Sequence, residues 1–297
     1  MRVAVTGSSG LIGRALRRRL ESSGHTVVPV VRRAAAPGEI AYDPAARTID
    51  ADGFRDVDAV VHLAGAGIAD KRWTDDYKRE ILESRTITTG LVSETLARLD
   101  GGPRVLLSAS GVDVYGERGD EETDETSPIG TGFLAEVCTA WEAATVAAEE
   151  AGVRVAHLRT GIVLSPDGGA LKKQLPLFRL GLGGKFGRGR QWQSWISITD
   201  HVAAVEHLLS SEVRGPVNLT APNPVTNAEF AQTLARVLSR PSFLPIPKFG
   251  PKLLIGSEAA EELLFQGQRA LPRVLEGDGF VFTHPELEPA LRALLDR

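Results

Sequence analysis

The run Gly7-Ser8-Ser9-Gly10-Leu11-Ile12-Gly13 has the residue types and spacing of a backbone cradle for a pyrophosphate. Gly7 permits a tight turn and Gly10 lets the main chain approach a phosphate with no Cβ in the way. Gly13 lets a following helix pack closely on a sheet. A helix opening at Leu11 would turn the free N–H groups of Ser9, Leu11 and Ile12, and a positive dipole end, toward the anion. Glycine turns are common, so the motif counts only if a strand precedes it and a helix follows.

Both conditions are met. Arg2–Thr6 is a short β-branched run that ends at Gly7. Leu11–Ser23 carries Ile12, Leu16 and Leu20 at helical spacing and stops at Gly24. Thr26–Val31, Ala59–Leu63, Val105–Ser108 and Val153–Leu158 read as further strands, with helices over Asp75–Leu99 and Trp141–Glu150. Strands alternating with helices predict βαβ units and a buried, doubly wound parallel sheet of the α/β class.

The second strand ends in Val31-Arg32-Arg33, where a site for a nucleotide with a free ribose 2′-hydroxyl would carry Asp or Glu. Arginines there suit a 2′-phosphate, so the expected cofactor is NADP. The other reading of Arg32 and Arg33 is a pair of solvated charges. His62-Leu63-Ala64-Gly65 ends a later strand in small residues that let a ligand lie against the backbone, with His62 itself a packed strand residue.

Composition narrows the classes. The 297 residues are 42% hydrophobic and 24% charged, which is globular. A net charge of −4 argues against a nucleic-acid partner. No apolar run is long enough for a membrane span and no signal peptide is evident. The single cysteine, Cys138, excludes an intrachain disulfide and a cysteine-rich metal site, and no HExxH or paired-histidine motif is present. A cytoplasmic protein with no metal is expected. Texture changes after about residue 165, with a glycine- and arginine-rich loop at Gly181–Arg190 and a proline-rich stretch at Pro241–Pro251. The expected division is a nucleotide-binding domain over 1–165, rejoined by elements from 166–235, and a small C-terminal cap over 236–297.

Together these segments resemble the extended short-chain dehydrogenases/reductases of the NAD-dependent epimerase/dehydratase type, with a Rossmann-type sheet and a smaller C-terminal α/β cap. The glycine motif, Leu63-Ala64-Gly65, Ser108-Ala109-Ser110, Tyr115-Gly116, Arg159-Thr160-Gly161 and Trp195–Asp200 carry the resemblance. Arg72-Trp73-Thr74, Glu80, Ser84-Arg85, Phe133–Val137, Trp141-Glu142, Phe178–Gly184 and Thr226–Phe230 are similar to an atypical subgroup, the "epimerase family proteins". That subgroup has its own C-terminal domain of unknown function, which Gln268–Pro272 and Gly279–Leu287 resemble. The resemblance implies an NADP-binding oxidoreductase or epimerase-like enzyme. It places Glu80, Arg85, Ser108 and the backbone near Arg32, Leu63-Ala64 and Val163 at the cofactor.

The catalytic pattern of that superfamily is broken here. Its members pair a tyrosine with a lysine four residues on, the cation bringing the phenol's pKa down from about 10. Tyr42, Tyr77 and Tyr115 are followed at that distance by Ala46, Ile81 and Gly119, and no lysine lies between Val105 and Leu171. The helix that should carry the pair reads Phe133-Leu134-Ala135-Glu136-Val137-Cys138. Ser110 matches the orienting serine, and Tyr115 is either a phenol supplied from the same loop or a packing residue. Asp113, Glu136 and Cys138 are further candidates. A chain that has lost the pair is also compatible with a sensor that binds NADP and signals to a partner.

Arg188, Trp192 and Trp195, with Lys185 and Arg190, lie where relatives bind the substrate's nucleotide side. Arginine beside aromatics can clamp a phosphate and stack on a ring, or the segment is a surface loop with its tryptophans tucked in. The long helices Asp75–Leu99 and Phe133–Glu150 each show one good apolar stripe, enough to cover a sheet but not also to pair subunits, so a monomer or weak homodimer acting on a small molecule is expected.

Overall fold

The structure is a computed structural model and describes residues 1–242 and 245–296. Strands β1 (Arg2–Thr6), β2 (Thr26–Val31), β3 (Ile40–Asp43), β4 (Thr48–Ile49), β5 (Ala59–His62) and β6 (Val105–Gly111) are joined by Arg154–Thr160 and Gly215–Leu219 in one eight-stranded sheet. From one edge the order is Gly215–Leu219, Arg154–Thr160, β6, β5, β1, β2, β3, β4. Every pairing is parallel except β3 with β4. The chain steps outward from β1 to β2 and then returns to β1's other side with β5. That reversal opens a crevice above the carboxyl ends of β1 and β5.

Alternation along the strands builds two cores. Val3 and Val5 face helix α1 (Leu11–Ser22) and helix Ile198–Ser210, packing with Leu16, Leu20, Val205 and Leu208. Ala4, Val60 and Leu106 face the other way, against Val92 and Leu96 of α2 (Asp75–Arg98). Buried on both faces, these strands are near-continuous apolar runs. The helix expected over Phe133–Glu150, which includes Trp141–Glu150, is two pieces: α3 (Phe133–Ala143) starts at Phe133 as expected, and Ala144-Thr145 separates it from Val146–Glu150. None of the described helices is long and apolar enough to cross a membrane.

The C-terminal region is laid over the sheet domain. Arg269-Ala270 pairs with Glu122-Thr123, Leu275 joins the α1-side core, and helix Leu287–Leu294 packs on Asn227–Val237 through Leu287 and Leu291. Asp200, fully buried, accepts from the backbone N–H groups of Thr283 (2.8 Å) and His284 (2.9 Å) and ties that segment down. The proline-rich stretch Pro241–Pro251 falls partly on residues 243–244, outside the described residues.

Candidate functional site

The glycine turn sits at the reversal point with no space to spare. Gly7 has φ +64°, and a Cβ there would lie 2.9 Å from the backbone of Leu63 at the end of β5. A Cβ on Gly13 would stand 2.2 Å from the carbonyl oxygen of Gly7. Thr6 Oγ1 braces the junction: it accepts from the N–H groups of Leu63 (2.9 Å) and Ala64 (3.2 Å) and bonds His62 Nδ1 at 2.9 Å. His62 reaches Thr88 on α2 at 3.2 Å, and burial pulls its pKa down to about 4, so the ring is neutral packing. Leu11 is covered by the loop at Gly168, and Val163 lies in the strand Ile162–Leu164 packed onto the same core.

At the end of β2 the two arginines differ. Arg33 grips Glu39 with both terminal nitrogens, at 2.7 and 2.6 Å. Arg32 is exposed and makes no side-chain hydrogen bond or ion pair among the described residues. Glu80 is exposed at the rim of α2, paired with Lys71 at 3.1 Å. Ser84 accepts from the N–H of Ala66 at 3.0 Å and pins the loop after β5. Arg85 is buried, its guanidinium lying against Gly65 and 4.9 Å from the Trp141 ring. Burial lowers its pKa.

Several expected site residues are sealed off. Ser108 is fully buried, flanked in the sheet by His62 and His157. Ser110 gives its hydroxyl hydrogen to Glu142 Oε1 at 2.7 Å. Tyr115 is 0% exposed, with its hydroxyl bonded to Asn218 Oδ1 (2.7 Å) and to Arg159 Nη1 (3.0 Å), and burial raises its pKa. A phenol closed off in this way does not face the crevice, so Tyr115 is a packing residue. Trp195 is likewise core, 0% exposed with its indole N–H on the Asn223 carbonyl, and is not a substrate platform. Trp192 is half-buried, stacked under Arg269 at 4.6 Å and bonded to Asp120, while Arg188 is exposed.

The groups left at the crevice are others. Beyond β6, a Cβ on Gly111 would meet Asp113 Oδ2 at 3.2 Å and Cys138 Sγ at 3.3 Å, so these two side chains converge there. Burial raises Asp113 to about 6, with the nearby charge of Glu262 adding and that of Arg85 opposing. Burial pushes the Cys138 thiol up to about 12. Glu262 comes from the C-terminal segment and accepts from the N–H groups of Phe133 (3.1 Å) and Leu134 (3.0 Å) at the start of α3. Sequence spacing gave no signal for Glu262, because its partners are 129 and 128 residues away.

Comparison with known proteins agrees with this architecture. The profile of the NAD dependent epimerase/dehydratase family matches residues 3–220. The chain belongs to that family. A domain of unknown function, DUF1731, matches residues 246–294. Among curated family members, the epimerase family protein Mb2239 of Mycobacterium bovis is 45% identical over 291 residues, 97% of this chain and 96% of that protein. The human epimerase family protein SDR39U1 is 37% identical over 299 residues, covering 99% of this chain and all of its own length. A crystal structure of human SDR39U1 (isoform 2) with NADPH superposes with a TM-score of 0.91 at 35% identity, over 100% of this chain and 99% of the other.

Proposed function

We propose that this family member is an NADP-dependent oxidoreductase or epimerase-like enzyme acting on a carbonyl or alcohol of a small molecule. The cradle of Gly7, Gly10 and Gly13 carries the reading: a Cβ at Gly7 would clash with the Leu63 backbone and one at Gly13 with the Gly7 carbonyl, so glycine lets the turn and α1 close this tightly on the end of β5. The N–H groups of Ser9, Leu11 and Ile12 take the pyrophosphate, and Leu63, Ala64, Gly65 and Val163 line the nucleotide. Arg32 takes the 2′-phosphate. Arg33, held by Glu39, frames that pocket, and Glu80 and Arg85 approach from α2. NADPH, when bound, supplies a hydride. Full-length likeness to a protein solved with NADPH supports the same choice of cofactor.

The chain has the makings of a cytoplasmic protein, with one buried thiol and no need of an oxidising compartment. A monomer or weak homodimer fits the helix faces: the exposed residues of α2 include Asp75, Asp76, Arg79, Glu83 and Glu94, and no large exposed hydrophobic side chain lies on it. Light scattering on dilution tests this, and a dimer that never dissociates would refute it.

Titration of the protein with NADPH and NADH, followed by absorbance assays with aldehydes, ketones and sugar nucleotides, tests the function. NADPH binding with turnover of at least one class is expected. A second reading, an NADP-binding sensor, is favoured by the missing tyrosine–lysine pair and by the sealed Tyr115. Tight binding with no turnover across the panel would select it. Failure to bind NADPH would overturn both.

A further inference from the structure

Asp113 stands at the carboxyl edge of β6, one strand from the reversal point, and Arg85 lies over Gly65 at the edge of the adjacent β5. A Cβ on Gly65 would come 3.3 Å from the Arg85 Cζ, and one on Gly111 would come 3.2 Å from Asp113 Oδ2. An acid and a cation thus flank neighbouring strand ends at the mouth of the crevice. We propose that Asp113 is the group that exchanges a proton with the substrate, with Arg85 as its positioning cation and Glu262 of the C-terminal segment closing its far side. This rests on the NADP reading above, and it gives the C-terminal domain a part in the site.

The other candidates are accounted for. Ser110 and Tyr115 are spent in the buried network with Glu142 and Arg159. Glu136 is exposed on the outer side of α3. His62 is neutral and sealed. Cys138 keeps its proton, since burial and the Asp113 charge both disfavour a thiolate. Asp113 is only partly buried, and its carboxylate accepts no hydrogen bond from another described side chain. Among the described residues Arg85 donates only to the Ile81 carbonyl, at 3.0 Å, which leaves most of its five N–H donors for a ligand or for Asp113.

Among the described residues, three charged or titratable groups face Asp113: Arg85 from α2, Cys138 from α3 and Glu262 from the C-terminal segment. Burial and Glu262 favour the protonated acid, while Arg85 favours the carboxylate. The balance, near 6, lets one carboxyl both give and take a proton close to neutral pH. In the reducing direction the O–H bond of Asp113 breaks and its proton goes to the carbonyl oxygen, as the carbonyl carbon gains the hydride pair. An alcohol, the oxidised nicotinamide and an aspartate carboxylate result. The reverse direction returns the proton to Asp113.

The test needs no known substrate. Emission of protein-bound NADPH is followed across pH, beside carbon NMR of aspartate carboxyls in the protein without cofactor. An inflection at about pH 6 is expected in both. Asp113→Asn abolishes it with NADPH affinity within about threefold of the parent, Asp113→Glu restores it, and Arg85→Met moves it to higher pH. An inflection that survives Asp113→Asn, or its absence from NADPH-bound parent protein, overturns the proposal while the cofactor reading stands. Parent protein that does not bind NADPH overturns the cofactor reading first. If Asp113→Asn does not fold, Arg85→Met and the carboxyl spectrum decide: an unmoved inflection refutes the assignment.

Discussion

Arg159 grips both oxygens of Glu142, with Nε to Oε1 at 2.8 Å and Nη2 to Oε2 at 2.9 Å, and with Nη1 it reaches the Tyr115 hydroxyl. The pair locks a β-strand residue to α3, and Ser110 and Asn218 complete the chain. Burial alone would raise the Glu142 pKa, but Arg159 outweighs it and holds the carboxyl below its usual value. The two side chains are only 7% and 12% exposed.

Removing one partner should therefore cost more than removing both. Glu142→Gln leaves the Arg159 cation buried and is expected to destabilise by about 3–5 kcal/mol. The double variant Glu142→Leu/Arg159→Met should recover much of that loss. Urea denaturation of both single variants and of the double variant checks it: a double-variant loss equal to the sum of the single losses would show that the pair is not coupled.

Arg32→Ala should weaken NADPH binding at least about tenfold, roughly 1.4 kcal/mol, and leave NADH nearly unchanged. Arg33→Ala should do much less, because Glu39 already holds both of its terminal nitrogens. Calorimetric titration of both nucleotides decides. A loss shared equally by NADPH and NADH would mean that Arg32 reads no 2′-phosphate.

Gly13→Ala puts a methyl group 2.2 Å from the Gly7 carbonyl oxygen, where backbone must yield. A loss of about 1–3 kcal/mol is expected, as for other overpacked sites, together with a large fall in NADPH affinity. Gly24→Ala, just past the end of α1, meets no atom of the described residues within 4 Å. Its cost is confined to its φ of +82°, and nucleotide affinity should survive. Comparable NADPH loss in the two variants would contradict the cradle.

Acid should destabilise the fold through His62 and His201, each held neutral by burial with a pKa of about 4. Their folded-state pKa values are depressed. The stability they contribute is complete above their unfolded value, near 6.5, and is lost as pH falls toward 4, by up to about 3 kcal/mol each. Asp113 acts oppositely: its raised pKa makes the folded state take up a proton first as pH falls. Asp113→Asn should therefore raise stability at pH 8 and steepen the loss on acidification. Melting temperatures across this range test both signs, and a flat profile would show that the histidines are protonated as freely folded as unfolded.

The parallel sheet and the glycine turn at its reversal point were legible from the residues alone, as was the expectation of NADP. These depend on local spacing: glycine at 7, 10 and 13, apolar runs between helices, and no carboxylate at Arg32. A missing tyrosine–lysine pair was equally legible, because it is a four-residue relation on one helix. Which polar side chains face the crevice depends on contacts between segments far apart in the chain. Ser110 and Tyr115 match a motif, yet Glu142 and Arg159, distant in sequence, draw them into a buried network. The same folding brings Asp113, Arg85 and Glu262 together from three separate segments. Burial set by that packing, and no feature of the residues alone, moves a carboxyl to about 6 and confines Trp195 to the core.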